Sequence, residues 1–469
     1  MKKSVQLLIT PIPYPDETAG STLIRTAELN GFGNVRLMLH AHRLKMYAIN
    51  QACERVYHRY QYDFVNLLSY FSISFENISK SLERTIESYQ YRKKFIYYES
   101  LFIQDASAYC PICLSENAYW RKMWLLRLLP ACPDHAIMLW KKCHSCQKAL
   151  ELNRSKITEC PHCSADLRQA PHTNCHNIEP VRWFIHNATK QHEYTLKILS
   201  YWQCLEEYGL LLNQRFTYHK LLILTHEYFT NYDQSIQSMK RLVHQHLDLA
   251  HPRIQLVSFL KKSAFREYAE KILELIPRPL QRAKNHQERL LSTEETLTIL
   301  ELSHHLFLHF RKQNLINYHQ ESMKVYFYSE EIEQLQMLKE AFERIKDTSI
   351  PLCFIEENPC LLDISQAAII LHTDEEAIHK LIHLSLLVSY QISLKGKLKT
   401  VIYIGDIEYF NKKYVLTQML AKDLRVQIRQ LIFALNKLSI LPIHKKPYIF
   451  ERQSIENLSS RMIQMLDAE

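Results

Sequence analysis

Between Cys110 and Cys163 the chain carries four ligand pairs, each spaced by two residues: Cys110-Pro-Ile-Cys113, Cys132-Pro-Asp-His135, Cys143-His-Ser-Cys146 and Cys160-Pro-His-Cys163. Two ligands three positions apart turn toward one point across a tight knuckle, and a tetrahedral zinc ion takes two such knuckles. Random placement of the cysteines would give roughly 0.3 Cys-x2-Cys pairs; the chain has three, plus the Cys-x2-His. The spacing predicts two zinc ions. Sequential pairing puts Cys110, Cys113, Cys132 and His135 on one, and Cys143, Cys146, Cys160 and Cys163 on the other. Pairing the first knuckle with the third is the alternative that spacing leaves open. A catalytic zinc keeps one position free for water; eight ligands for two ions leave none, so both ions read as structural. They would hold together a segment too short to build its own core. Cys53, Cys175, Cys204, Cys353 and Cys360 have no knuckle partner and read as core or surface thiols.

Composition and motifs argue against several enzyme classes. Only 6 of 469 residues are glycine, far below the usual ~7%. No G-x-x-x-x-G-K-[ST] occurs, which excludes a P-loop ATPase, and neither H-E-x-x-H nor the zinc-deaminase pattern is present. The expectation is a protein that is not an enzyme. Apolar residues make up 47% and charged residues 23%, ordinary for a folded chain. No apolar run reaches the ~18 residues of a membrane span. The Val5–Ile9 run after Met1-Lys2-Lys3 meets Pro11, Pro13 and Pro15, too early for a secretory signal. A cytoplasmic protein is expected, and in that compartment twelve cysteines read as metal ligands before disulfides.

The pattern divides the chain into a helical N-terminal domain (1–105), the double zinc segment (106–172), a helical domain (173–350), a winged helix-turn-helix (351–415) and basic C-terminal helices (416–469). The fold class is thus mainly α and multidomain. Within the first domain a helix is expected from Thr22 to Asn30, stopped by Gly31-Phe32-Gly33, and two short helices between Ser69 and Ile78. Long apolar-periodic runs at Leu221–Phe229, Ile254–Ile276 and Leu297–Phe310 mark further helices, with breaks at Pro252, Pro277 and Pro279. No fixed-period repeat of the solenoid kind stands out.

The formal net charge of +9 is placed unevenly. Val388 to Arg452 holds 12 basic residues against four acidic ones, so 12 − 4 = +8 falls in that stretch. Concentrated charge of this kind suggests a polyanion partner, DNA or RNA first. Just before it, Asp363 or Ser365 caps a helix ending near Leu371, and His372-Thr373-Asp374 forms a turn. A second helix starts at Glu375, with Ala377, Ile378, Leu381 and Ile382 inward and Glu375, Glu376, His379, Lys380 and His383 outward. Two β-rich runs then flank Lys395-Gly396-Lys397 as a hairpin. That order would place His379, Lys380 and His383 in a major groove and Lys395, Lys397 and Lys399 on backbone phosphates. Glu375 and Glu376 oppose phosphate, although acids also favour a helix start. A small helical interaction module is the other reading of the same elements.

Three places resemble the TniQ/TnsD family of target-selection proteins from Tn7-like transposons. The first is Pro11-Ile-Pro-Tyr-Pro15, followed by Ser21-Thr-Leu-Ile-Arg25 and Ala27-Glu-Leu-Asn-Gly31. The second is Tyr109-Cys-Pro-Ile-Cys113 with Trp124, Cys132-Pro-Asp-His135, Leu139, Cys143 and Cys146, which fixes both ligands and the aromatic positions between them. The third is the helix-turn-helix with its wing. Ala19-Gly20 departs from the more compact turn that the family places before its first helix. The resemblance implies a non-enzymatic, DNA-associated bacterial protein that binds attachment-site DNA and recruits an AAA+ ATPase regulator, which brings the transposase. Its other branch implies an adaptor docked as a homodimer on an RNA-guided CRISPR Cascade complex.

Overall fold

The computed structural model describes residues 7–42, 108–126, 129–151, 153–188, 192–211, 216–277, 288–313, 316–322, 324–345, 358–394, 397–424 and 426–456. The chain is mainly helical with small antiparallel sheets and divides into two compact units, Met1–Ser238 and Met239–Glu469. The two short helices expected between Ser69 and Ile78 lie outside the described residues, as do Cys53, Cys353, Lys395 and Gly396.

In the first unit a helix runs Ala19–Leu29. It starts earlier than the expected Thr22 because the Thr18 side chain accepts the Ser21 N–H and so closes the first turn. Gly31 follows with φ +72, a left-handed conformation in which glycine carries no Cβ penalty. Its apolar stripe, Leu23, Ile24 and Ala27, is fully buried. The segment before it docks on the first part of the cysteine region. The Thr18 N–H donates to the Trp120 carbonyl (2.9 Å), the Trp120 N–H to Ser21 Oγ (2.9 Å), and the Tyr119 hydroxyl to Asp16 (2.7 Å). Trp120, Trp124 and Tyr109 sit beneath, all buried. Beyond the cysteines, helices Glu179–Ala188, His192–Leu211 and Tyr218–Thr230 pack together, with Tyr201 stacked on Tyr228 at 4.3 Å.

The second unit has the expected hairpin, Tyr390–Leu394 paired with Lys397–Tyr403, but otherwise departs from the expected succession of helices. Three sheets interrupt it: β1 (Leu290–Ser292), β2 (Tyr318–Glu321) and β3 (Lys324–Tyr328); β4 (Leu361–Leu362), β5 (Tyr390–Leu394) and β6 (Lys397–Tyr403); β7 (Tyr414–Leu416), β8 (His444–Lys445) and β9 (Tyr448–Glu451). The region 173–350 is therefore not all helical, and 416–469 holds strands as well as helices. The Leu297–Phe310 run is two helices, Thr293–Leu300 and His304–Lys312, because Glu301 turns left-handed (φ 54). Ile254–Ile276 is likewise divided among Pro252–Gln255, Val257–Leu260 and Ser263–Glu274.

In each sheet the third strand lies in the middle: β1-β3-β2, β4-β6-β5 and β7-β9-β8. Two helices follow the first strand each time, and a hairpin closes the set. In the second set they are Ile364–Ile370 and Glu375–His383, and in the third Thr417–Asp423 and Ile428–Lys437. Asp363, not Ser365, caps Ile364–Ile370, exchanging bonds with Gln366 in a capping box.

Candidate metal centres

The eight knuckle residues gather into two groups, Cys110, Cys113, Cys132 and His135, and Cys143, Cys146, Cys160 and Cys163. This is the sequential pairing; the interleaved one is excluded. In the first group Cys113 Sγ lies 3.2 Å from His135 Nδ1 and 3.6 Å from Cys132 Sγ, and Cys132 Sγ lies 3.5 Å from the same nitrogen. In the second, Cys143 Sγ to Cys163 Sγ and Cys146 Sγ to Cys160 Sγ are both 3.7 Å. A tetrahedron with ~2.3 Å metal–sulfur bonds has edges of about 3.8 Å. The sulfurs are too far apart for disulfides and stand at the separation that one small cation spans.

Three of the four knuckles are built alike. The residue after the second ligand is left-handed in each: Ala136 (φ 52), Gln147 (φ 58) and Ser164 (φ 57). Its N–H returns to the carbonyl of the first ligand at 2.9–3.0 Å, from Ala136 to Cys132, Gln147 to Cys143 and Ser164 to Cys160. The first ligand's N–H then bonds one residue further on, Cys132 to Ile137, Cys143 to Lys148 and Cys160 to Ala165. The fourth knuckle is a helix start. Cys110 caps the helix Pro111–Glu116 and its sulfur accepts the Cys113 N–H. The proline suits the first helical position, where no N–H is needed. Further N–H groups aim at sulfur from Ser145 onto Cys143 and from His162 onto Cys160, both at 3.4 Å.

The charge in the clusters is unevenly shared. Hydrogen bonds from Cys110 and Cys113 hold the Cys132 thiol below the usual thiol range, whereas burial pushes Cys160 above it. Ligation needs thiolates, and a divalent cation at the centre supplies the charge that lets all the sulfurs ionise. Three thiolates with one imidazole in the first site and four thiolates in the second each fit a tetrahedral ion. Sequence reasoning missed Glu116. Its carboxylate lies 2.9 Å from His135 Nε2, leaving Nδ1 for the metal and fixing the ring's orientation. Such outer partners tune affinity, so Glu116→Gln is expected to weaken metal binding at this site by about 10–100-fold. Competition with a chromogenic chelator reads this directly; an unchanged affinity would make Glu116 incidental.

The nucleic-acid candidates fall elsewhere. His379, Lys380 and His383 share the exposed face of Glu375–His383, with Ala377, Ile378 and Leu381 buried behind them and Ile382 half-buried. Lys399 is exposed on β6, 3.5 Å from an Asp363 carboxylate oxygen. Lys397 opens β6 opposite Leu394, and Lys395 lies outside the described residues. Sequence reasoning did not find the cleft beside this helix, of about 330 Å3, where Lys380 meets Lys445 and Lys446 from the hairpin β8–β9. Among the described residues no helix is long and apolar enough to cross a membrane.

No curated protein matches the chain. Residues 8–139 match the TniQ family model, a span holding both the docked N-terminal helix and the complete first metal cluster. The chain therefore carries a TniQ domain, the mark of a protein associated with Tn7-like transposition.

Proposed function

We propose that this protein is a non-enzymatic target-site selector of a Tn7-like transposon. It binds attachment-site DNA and recruits the AAA+ ATPase regulator, which then brings the transposase. The observation that carries the reading is the TniQ match over residues 8–139, joined in one chain to a C-terminal region in which 12 basic residues face four acidic ones. Zinc is the ion that the donor sets suit, and both sites are structural because every tetrahedral position is taken by the protein. Metal analysis of the purified protein is expected to return two zinc ions per chain.

The element order around Ile364–Ile370 and Glu375–His383, closed by the β5–β6 hairpin, supports a winged helix-turn-helix reader. His379, Lys380 and His383 serve as groove residues, and Lys395, Lys397 and Lys399 as wing cations. Each neutralised phosphate contributes about −0.9 to the slope of log affinity against log salt. Replacing the three wing lysines by alanine is therefore expected to flatten that slope by up to roughly three units, weakening all sequences alike because phosphate contacts carry no base information.

Binding of the full chain to duplexes spanning the element's insertion junction, beside binding to Cascade, tests the reading. Junction binding with recruitment of the ATPase supports it. Docking on Cascade with no DNA affinity would replace it with the dimeric RNA-guided adaptor.

A further inference from the structure

Residues 290–456 hold one design three times. A short strand leads into two helices across a tight turn, and a hairpin returns so that its second strand pairs with the first, giving the same strand order in all three sheets. Details repeat as well. The turn between the helices passes through a left-handed residue at Glu301 (φ 54) in the first copy and His372 (φ 50) in the second, each three positions before the second helix. Ser385 (φ 55) and Ser439 (φ 58) are left-handed two positions after that helix in the second and third copies. Only the middle copy was visible as a reader in the sequence.

The three second helices differ in what they offer. In the first copy, His304–Lys312 packs against Ile364–Ile370 of the second copy. His305 Nε2 is 2.8 Å from the Ile370 carbonyl and its ring 4.7 Å from His372, so that helix is spent on packing between copies. The second copy's helix exposes its outer face but begins Asp374-Glu375-Glu376, three acids where phosphates would approach. The third, Ile428–Lys437, exposes Arg429, Gln430, Phe433 (57% exposed) and Lys437 along one side. From Leu424 to Phe450 there is no acidic residue, against five basic ones: Arg425, Arg429, Lys437, Lys445 and Lys446. Lys445 and Lys446 are exposed on the hairpin and line the cleft that Asp374 and Glu376 share, so the third wing lies beside the second copy's helix.

We propose that the third copy is the principal duplex-DNA reader of this chain. Arg429 and Gln430 read base edges, Phe433 meets thymine methyl groups, and Lys437, Lys445 and Lys446 hold phosphates, with His379 and Lys380 contacting the flanking duplex. Charge complementarity selects the occupant: a basic face attracts the dense, regular charge of a phosphate backbone, about one per 1.7 Å of duplex, more strongly than the sparser carboxylates of an acidic protein surface. Arginine donates to both O6 and N7 of guanine, glutamine donates to N7 of adenine and accepts from its N6 amino group, and phenylalanine packs on the thymine methyl. The inference rests on the DNA-binding reading above and refines where the binding happens.

The test uses the full chain, a duplex spanning the insertion junction and an unrelated duplex of equal length, each titrated with salt. Arg429→Ala with Gln430→Ala is expected to cut discrimination between the duplexes by about 5- to 150-fold. Lys445→Ala with Lys446→Ala should flatten the salt slope by up to roughly 1.8 units while sparing discrimination. His379→Ala with Lys380→Ala should change discrimination less than the first pair. All six side chains are exposed, and circular dichroism with Arg429→Lys, which keeps charge but loses the fork, separates lost reading from lost folding. If the first pair leaves discrimination intact and the His379/Lys380 pair destroys it, the second copy is the reader; this inference falls and the selector reading stands. If the first pair spares DNA but abolishes capture of the ATPase, the face is a protein dock and the inference falls. If wild-type protein binds neither duplex, both fall together.

Discussion

Cys143→Ser is expected to leave one zinc ion per chain and to unfold the surrounding loops. A structural zinc site contributes on the order of 10–16 kcal/mol in small metal-folded units, and losing one ligand of four removes several of these. That loss is comparable with the entire ~5–15 kcal/mol stability of a domain. The segment has little else to hold it. Between Cys143 and Ala170 the described elements are turns and one short 3-10 helix, Leu167–Gln169, and its buried apolar side chains are few: Leu150, Ile157, Leu167 and Ala170 beside the ligands. Cys113→Ser should reach further, because the first knuckle follows directly on Ala108, whose N–H donates to the Trp124 carbonyl, and the chain between that knuckle and Cys132 carries Trp120, on which the Thr18–Ser21 segment docks. Both losses should shift the emission of Trp120, whose Nε1 donates to the Ile157 carbonyl at 3.4 Å and whose ring lies 4.2 Å from the Arg154 guanidinium, but only Cys113→Ser should also release the Thr18–Ser21 segment; Cys143→Ser should chiefly open a protease site between 143 and 170. Metal content, fluorescence and limited proteolysis check the pair. Two zinc ions retained by either variant would refute the ligand assignment.

The two candidate metal clusters were legible because a knuckle is a local object: two cysteine or histidine side chains three apart and a turn, all within one stretch of chain. Pairing was not fixed by spacing. It is settled by the fold, which returns Cys132 and His135 to Cys110 through the paired backbone of Tyr109 and Trp140. Glu116 was invisible because its partner lies 19 residues on, although an acid one helical turn after Cys113 was a usable signal. The triplication was hidden for two physical reasons. Strands of two or three residues, such as β4 and β8, are too short to show a period of two. The copies are also unequally spaced, with first strands starting at Leu290, Leu361 and Tyr414, so no fixed period exists. One trace was present: Leu384-Ser385-Leu386-Leu387 and Leu438-Ser439-Ile440-Leu441 are near-identical, and both serines are left-handed. The outward face of Glu375–His383 was read correctly because an amphipathic helix declares its buried side by spacing alone. Leu297–Phe310 misled for the converse reason: Glu301 and Ser303 break the helix without a glycine or proline to announce it.

Arg25→Ala is expected to destabilise the first unit by about 3–5 kcal/mol, because it strands a buried carboxylate. Glu17 is fully buried, and its oxygens accept from the Ser21 hydroxyl (2.6 Å), the Tyr14 N–H (3.1 Å) and the Arg25 guanidinium. Burial raises its pKa, and Ser21, Arg25 and Tyr14 act against that rise. Removing Arg25 takes away the only cation of the set and one of its hydrogen bonds. Arg25 also lies over the Tyr14 ring at 4.7 Å, and Tyr14 stacks on Tyr119 at 4.2 Å, so the loss spreads to the seam between the N-terminal segment and the cysteine region. The pH dependence has a definite sign. A carboxyl whose folded pKa lies above its unfolded value binds its proton more tightly when folded, so the variant gains stability as pH falls through that range and loses it as pH rises. The deficit against wild type should accordingly be larger at pH 8 than at pH 5. Glu17→Gln in the same background removes the charge that Arg25 balanced, so the double variant should recover part of the loss, and the cycle measures the coupling. Urea unfolding followed by tryptophan emission reads all four proteins. A deficit independent of pH, or strictly additive single effects, would mean that Arg25 acts through packing on Tyr14 rather than through the charge of Glu17.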